Sequence, residues 1–200
     1  MSIIITTVSP ETVVQVSDTR LTSFRNQLVL SEALRKTLLV RSTKAHFVVG
    51  WAGCATDESL QHQTGDWLFK SLFEMNAVEL PIEDIALRLE TLATAAFAKL
   101  KADDKRCVFV LGGWQEAEPF LCTVSNYCTV LNSVSPDVAE ESQSRRHHIP
   151  SISEAKTAAP KFHGTLQRFR NLTERNYVVN VAGDFKSNNL QTLSEGWRAC

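Results

Sequence analysis

The side chains able to do chemistry in this sequence fall into a few groups. Near the N-terminus stand a hydroxyl, a carboxylate and an ammonium: Ser2 directly behind Met1, then Asp18, then Lys36. A serine hydroxyl attacks a carbonyl only when a neighbouring base takes its proton, so Ser2 needs partners brought to it by the fold. The thiols are Cys54, Cys107, Cys122, Cys128 and Cys200. Their number is odd and no two lie at a Cys-x-x-Cys spacing, which argues against a disulfide framework and a zinc knuckle alike. Cys54, next to Gly53, reads either as a reactive thiol or as small core filling. His147-His148, with His163 downstream, have no matching Cys or carboxylate spacing. Adjacent histidines on a polar stretch read as solvated, so no metal is expected. Gly112-Gly113 is too short to cradle a phosphate, and no cofactor is expected either.

The chain that must position these residues has ample apolar material. Hydrophobic residues make up 44% of it and charged residues 22%, enough for one domain over 1–200 with a sizeable core. Lys and Arg number 21 against 22 Asp and Glu, a net charge of −1. That balance speaks against a nucleic-acid partner bound by phosphate neutralisation. No apolar run approaches the roughly 20 residues of a membrane span, and no membrane partner is expected. The opening Met-Ser-Ile-Ile-Ile lacks the basic residue of a secretory signal. With reduced thiols, this predicts a cytoplasmic protein.

Local patterns then give the elements. Residues 3–8 and 12–16 are rich in β-branched side chains around Ser9-Pro10-Glu11, which predicts a hairpin. Strands are expected at 36–41 and 45–53, the second buried on both faces. A helix over 57–75 is expected from Leu60, Trp67, Leu68, Leu72 and Phe73, with Thr56, Asp57 and Glu58 at its start. Its apolar residues cover more than one stripe, so a second partner is needed for that surface. A second helix over 81–101 opens on Pro81 and shows Ile85, Leu89, Leu92, Ala96 and Leu100 at three- and four-residue steps. Strands return at 107–114 and 120–134. Residues 135–160, rich in Ser, Glu, Arg and Pro, read as a loop insertion. Beyond them, Leu166–Leu172 could be helical and 177–183 looks strand-like. The order of strands, helices and strands predicts two antiparallel sheets with helices outside.

Taken together, several segments carry a family likeness. Asp18 lies sixteen residues after Ser2 and opens Asp18-Thr19-Arg20-Leu21-Thr22. Arg35-Lys36-Thr37 starts the next strand, and Gly50-Trp51-Ala52-Gly53-Cys54-Ala55-Thr56-Asp57 joins a strand to a helix. Val110-Leu111-Gly112-Gly113-Trp114 and Pro119-Phe120-Leu121 follow further on. In order and spacing, residues 2–134 resemble a proteasome β-subunit or its bacterial relatives, within the N-terminal-nucleophile hydrolase superfamily. The resemblance implies an α+β fold, a four-layer αββα sandwich. It implies hydrolysis of a peptide or small amide substrate by Ser2 once Met1 is removed, with Asp18 and Lys36 as catalytic partners. Gly53, Trp51 and Thr22 would line the oxyanion and substrate site. It also implies a homo-oligomeric ring. The alternative reading is a non-catalytic assembly or binding subunit that keeps the fold. The family's Gly-Ser-Gly element has only Phe162-His163-Gly164-Thr165 as its nearest match.

The chemistry of such a set follows from elementary acidity. A terminal α-amine has a pKa of about 7.7–8.0, close to working pH, and can take the hydroxyl proton. A lysine ammonium nearby favours the alkoxide and lowers the amine's pKa. An aspartate holds that lysine charged, and a backbone N–H between Trp51 and Gly53 supplies an oxyanion donor. Each residue also has a plainer reading. Asp18 could satisfy backbone at a strand end, Lys36 could be a solvated strand-edge lysine, and Gly50 and Gly53 could relieve crowding.

Overall fold

The computed structural model describes residues 3–22, 29–31, 33–56, 63–102, 104–126, 131–134, 161–170, 172 and 177–183. Two antiparallel sheets and two α-helices make up the body. Strands β1 (Ile3–Val8) and β2 (Val13–Ser17) form the expected hairpin. They belong to a four-stranded sheet ordered β2-β1-β11-β9, with β9 at Leu131–Val134 and β11 at Val178–Gly183. A five-stranded sheet is ordered β10-β8-β7-β6-β5. Its strands are β5 (Thr37–Arg41), β6 (Ala45–Gly53), β7 (Cys107–Gln115), β8 (Glu118–Ser125) and β10 (His163–Arg168). A small ribbon pairs β3 (Leu21–Thr22) with β4 (Val29–Ser31).

Alternation along the strands builds a core on each side of the five-stranded sheet. Ile4, Val8, Ala52, Val108, Val110, Leu121, Val178 and Ala182 fill the space between the two sheets. Phe47, Val49, Trp51, Phe109, Leu111, Phe120 and Cys122 face the helices. Strands β6 and β7 are apolar at nearly every position, and because successive side chains point to opposite faces, both of their faces are buried.

Helix α1 spans Thr64–Glu74 and α2 spans Ile82–Ala98. Helix α1 starts later than the sequence pattern suggests: its N-cap is Gln63, and Asp57 and Glu58 lie outside the described residues. In α2 the buried face is Ile82, Ile85, Ala86, Leu89, Ala93 and Phe97. Leu92, expected inside, is 40% exposed. Runs of alanine and leucine fit more than one helical stripe, and packing selects the one that carries the large Phe97. Pro81 is the N-cap and not the first helical residue, while Glu83 and Asp84 occupy the first turn as expected.

The four-layer αββα sandwich is not what forms. The structure is mostly β-sheet, and among the described residues both α-helices pack on one face of the five-stranded sheet. The reason lies partly in Leu166–Arg168, read as possible helix. There β10 pairs with β8 and turns the chain into an edge strand. Residues 135–160 lie outside the described residues.

One polar cluster ties the end of the sheet to α2. Gln115 Oε1 accepts the Ile82 N–H at 2.7 Å, capping the helix from β7. Arg168 binds both Glu83 and Glu118. Burial of Glu83 opposes its charge, but the hydrogen bond from Arg168 and the nearby guanidinium outweigh it and hold the carboxyl below its ordinary value of 4.5. A depressed carboxylate contributes stability that is fully present above the unfolded pKa and lost as pH falls through the folded one. Glu83→Gln is therefore expected to flatten the loss of stability below pH 4.5, as read from urea midpoints across an acid series. An unchanged acid slope would remove Glu83 from the account.

Candidate active site

The β1–β2 hairpin decides where Asp18 goes. Ile4 pairs with Ser17, so the next residue of each strand, Asp18 and Ile3, also meet. The Asp18 N–H donates to the Ile3 carbonyl at 3.3 Å, and Asp18 Oδ1 accepts the Ile3 N–H at 2.9 Å. The carboxylate thus grips the backbone of the residue joined directly to Ser2. Ser2 and Met1 themselves lie outside the described residues.

Lys36 enters from the other sheet. It immediately precedes β5, and its Nζ donates to Asp18 Oδ2 at 2.8 Å and to the Arg20 carbonyl at 2.9 Å. The lysine is 2% exposed, while the Asp18 side chain keeps 24% of its surface. A buried ammonium is tolerated only when paired and hydrogen-bonded, and here both conditions hold. The solvated strand-edge reading of Lys36 is therefore wrong.

Trp51 lies across from Lys36 on β6. Its N–H donates to the Lys36 carbonyl at 3.1 Å, and its ring centroid is 5.7 Å from Lys36 Nζ. The indole is fully buried in the core beneath the helices. Gly53 sits two residues further along β6, opposite Cys107. Its φ is +109°, and a Cβ there would stand 2.1 Å from the Arg106 carbonyl oxygen. This crowding accounts for glycine by itself. Thr22 is placed by its backbone in β3, opposite Val29, and its side chain lies outside the described residues.

Asp18, Lys36 and Trp51 are thus brought together, with the Ile3 N–H and the Arg20 carbonyl as partners that sequence reasoning missed. Main-chain partners leave no trace in residue type, although the hairpin register implies the Asp18–Ile3 pairing. Gln15 was also missed. It lies inward on β2, where its Nε2 donates to Thr6 Oγ1 at 2.9 Å and to the Val110 carbonyl at 3.1 Å. A Cβ on Gly50 would stand 2.5 Å from Gln15 Oε1 and 3.1 Å from the Lys36 carbonyl oxygen. Glycine at 50 is what lets this amide bridge the sheets. A lone amide in a β-branched run is the signal that could have found it.

Other expectations fall away from this site. Phe162-His163-Gly164-Thr165 lies on or beside β10, at the sheet edge opposite β5. There the Phe162 and Gly164 N–H groups donate to Thr94 and Glu90 of α2. Cys54, Cys107 and Cys122 are buried. Burial, and secondarily Cys54, pushes Cys107 well up, and burial takes Cys122 to about 12. Cys107 and Cys122 thus fill space and are poor nucleophiles. His147 and His148 lie outside the described residues. Among the described residues no helix is long and apolar enough to cross a membrane. No protein-family model, curated protein or solved structure matches the chain.

Proposed function

We propose that this chain is an N-terminal-nucleophile hydrolase of peptide or small amide bonds, with Ser2 as nucleophile after loss of Met1. One observation carries the reading: the buried Lys36 paired with a partly exposed Asp18, whose second carboxylate oxygen holds the N–H of Ile3. A charge this costly to bury, fixed on the residue next to a terminal serine, fits a device for tuning that serine. In the reaction, the Ser2 α-amine takes the hydroxyl proton and the oxygen attacks the substrate carbonyl. The leaving amine departs with a proton, and water then cleaves the resulting ester. The resemblance of residues 2–134 to proteasome β-subunits supports the N-terminal chemistry; the four-layer fold does not come with it.

The test is direct. Intact mass is expected to show Met1 removed, and an epoxyketone, which engages hydroxyl and amine of one terminal residue, is expected to label Ser2. A Met-capped chain that takes no label would leave Lys36 and Asp18 as a structural ion pair.

The assembly reading rests on a separate observation. Phe69 and Phe73, one turn apart on α1, are 62% and 78% exposed. Two phenylalanines on one outer helical face favour a partner, and a second copy of the chain is the occupant we propose. It holds whether the chain is catalytic or a non-catalytic assembly subunit. Light scattering is expected to give a multiple of 22.3 kDa, with Phe73→Glu returning the monomer. A 22.3 kDa species at micromolar concentration would end the assembly reading.

A further inference from the structure

We propose that Trp51 is a positioning residue for the Lys36 ammonium and takes no part in a substrate pocket. The proposal rests on the reading of Lys36 and Asp18 as the site and deepens it. Trp51 is 1% exposed and packs among Phe109, Leu68 and the other helix-facing residues, so no substrate side chain reaches its ring. It instead holds Lys36 at two points. Its main chain fixes the Lys36 carbonyl at 3.1 Å, and its ring faces Nζ at 5.7 Å. An ammonium within about 6 Å of a tryptophan face is attracted by the ring quadrupole, most strongly where water is excluded.

The hydrogen bonds and the ring do different work. Asp18 and the Arg20 carbonyl give the ammonium its direction. The indole gives it an apolar wall that still favours positive charge. A lysine carries four rotatable side-chain bonds and much rotamer entropy, so a second kind of restraint narrows where Nζ can sit. Behind the indole lies the first turn of α1. A Cβ on Gly65 would meet Trp51 Nε1 at 3.4 Å and the Arg35 carbonyl at the same distance. The first turn of α1 thus lies against the indole, which links the start of α1 through Trp51 to the Lys36–Asp18 pair.

The experiment compares Trp51→Phe with Trp51→Leu. The two replacements leave similar space, but only phenylalanine keeps an aromatic face. Lys36 is modified with acetic anhydride under native conditions and the rate read by mass spectrometry, with urea midpoints recorded alongside. At matched stability, Trp51→Leu is expected to acylate at Lys36 about tenfold faster than Trp51→Phe, with Phe staying close to the parent chain. Equal rates in the two variants would overturn the proposal. If Trp51→Leu does not fold, Trp51→Met takes its place with the same expectation. Epoxyketone labelling separates the two readings. Where the parent chain labels at Ser2, Trp51→Leu should label about tenfold more slowly than Trp51→Phe. Where the parent chain does not label, the hydrolase reading fails and the anhydride rates alone decide the role of Trp51.

Discussion

Gly53→Ala is expected to abolish the folded state, or to reduce it to a marginal one. The added Cβ would stand 2.1 Å from the Arg106 carbonyl oxygen and 2.9 Å from the Cys107 Cα. Both are backbone atoms, Cys107 the first residue of β7 and Arg106 the one before it, held where the β6–β7 ladder ends and by the Cys54 N–H on the Arg106 carbonyl, so no side chain can swing away. The residue also has φ +109°, where an L side chain adds backbone strain of about 1–3 kcal/mol. Parting β6 from β7 would open the central pair of the five-stranded sheet and the core on both of its faces. A loss above about 4 kcal/mol is a large part of a typical domain's 5–15 kcal/mol. Thermal melts followed by circular dichroism will show it. Gly65→Ala is the control, because its Cβ meets only ordinary contacts at 3.4 Å. A Gly53→Ala chain melting within a few degrees of its parent would show that the strand pair can spread without cost.

Lys36→Met is expected to cost about 2–3 kcal/mol and to abolish epoxyketone labelling of Ser2. A site lysine read from sequence alone is expected to be neutral for the fold, since charge held for chemistry is costly for structure. Its burial reverses that expectation. Methionine fills most of the space, but Asp18 Oδ2 and the Arg20 carbonyl both lose their donor. The cost sits below the 3–5 kcal/mol typical of a fully buried pair because Asp18 is partly exposed and water can reach it. Asp18→Asn with Lys36→Met in a double-mutant cycle isolates the pair, since asparagine can still accept the Ile3 N–H. A stability loss under about 0.5 kcal/mol would mean that the pair is held passively.

Most strands were legible because their period is short and their turns are marked. The first hairpin around Ser9-Pro10-Glu11, and β5 to β8, fall where alternation and turn residues put them. The β7–β8 turn shows where such marks run out: Glu116 and Ala117 both have positive φ, +52° and +66°, without glycine or asparagine. Helical stripes were less legible. Leu92 and Ala96 satisfy the spacing as well as Ala93 and Phe97 do, and only the facing aromatic residues decide between them. The fold class failed for a different reason. It was inferred from a resemblance carried by short segments within residues 2–134, and local motifs do not fix how many layers the rest of the chain adds. Asp18 and Lys36 were identified, but the burial of Lys36 was not, because Asp18 and the Arg20 carbonyl reach it only once the first hairpin packs on the five-stranded sheet, and the Trp51 ring only once β6 pairs beside it.

The Gln15 bridge has a bearing on how accurately the hairpin zips up. Side chains on β2 alternate between an exposed row, Val14 and Val16, and an inward row led by Gln15. Valine is content on either side, so hydrophobicity alone would let β2 slide along β1 by one residue. A slip would strand the amide in solvent, leave Thr6 Oγ1 and the Val110 carbonyl without its donor, and bring a valine against them. It would also carry Asp18 one position past Ile3. The amide therefore works as an indexing pin: a hairpin that seats Gln15 has, in the same step, delivered a carboxylate to the start of the chain.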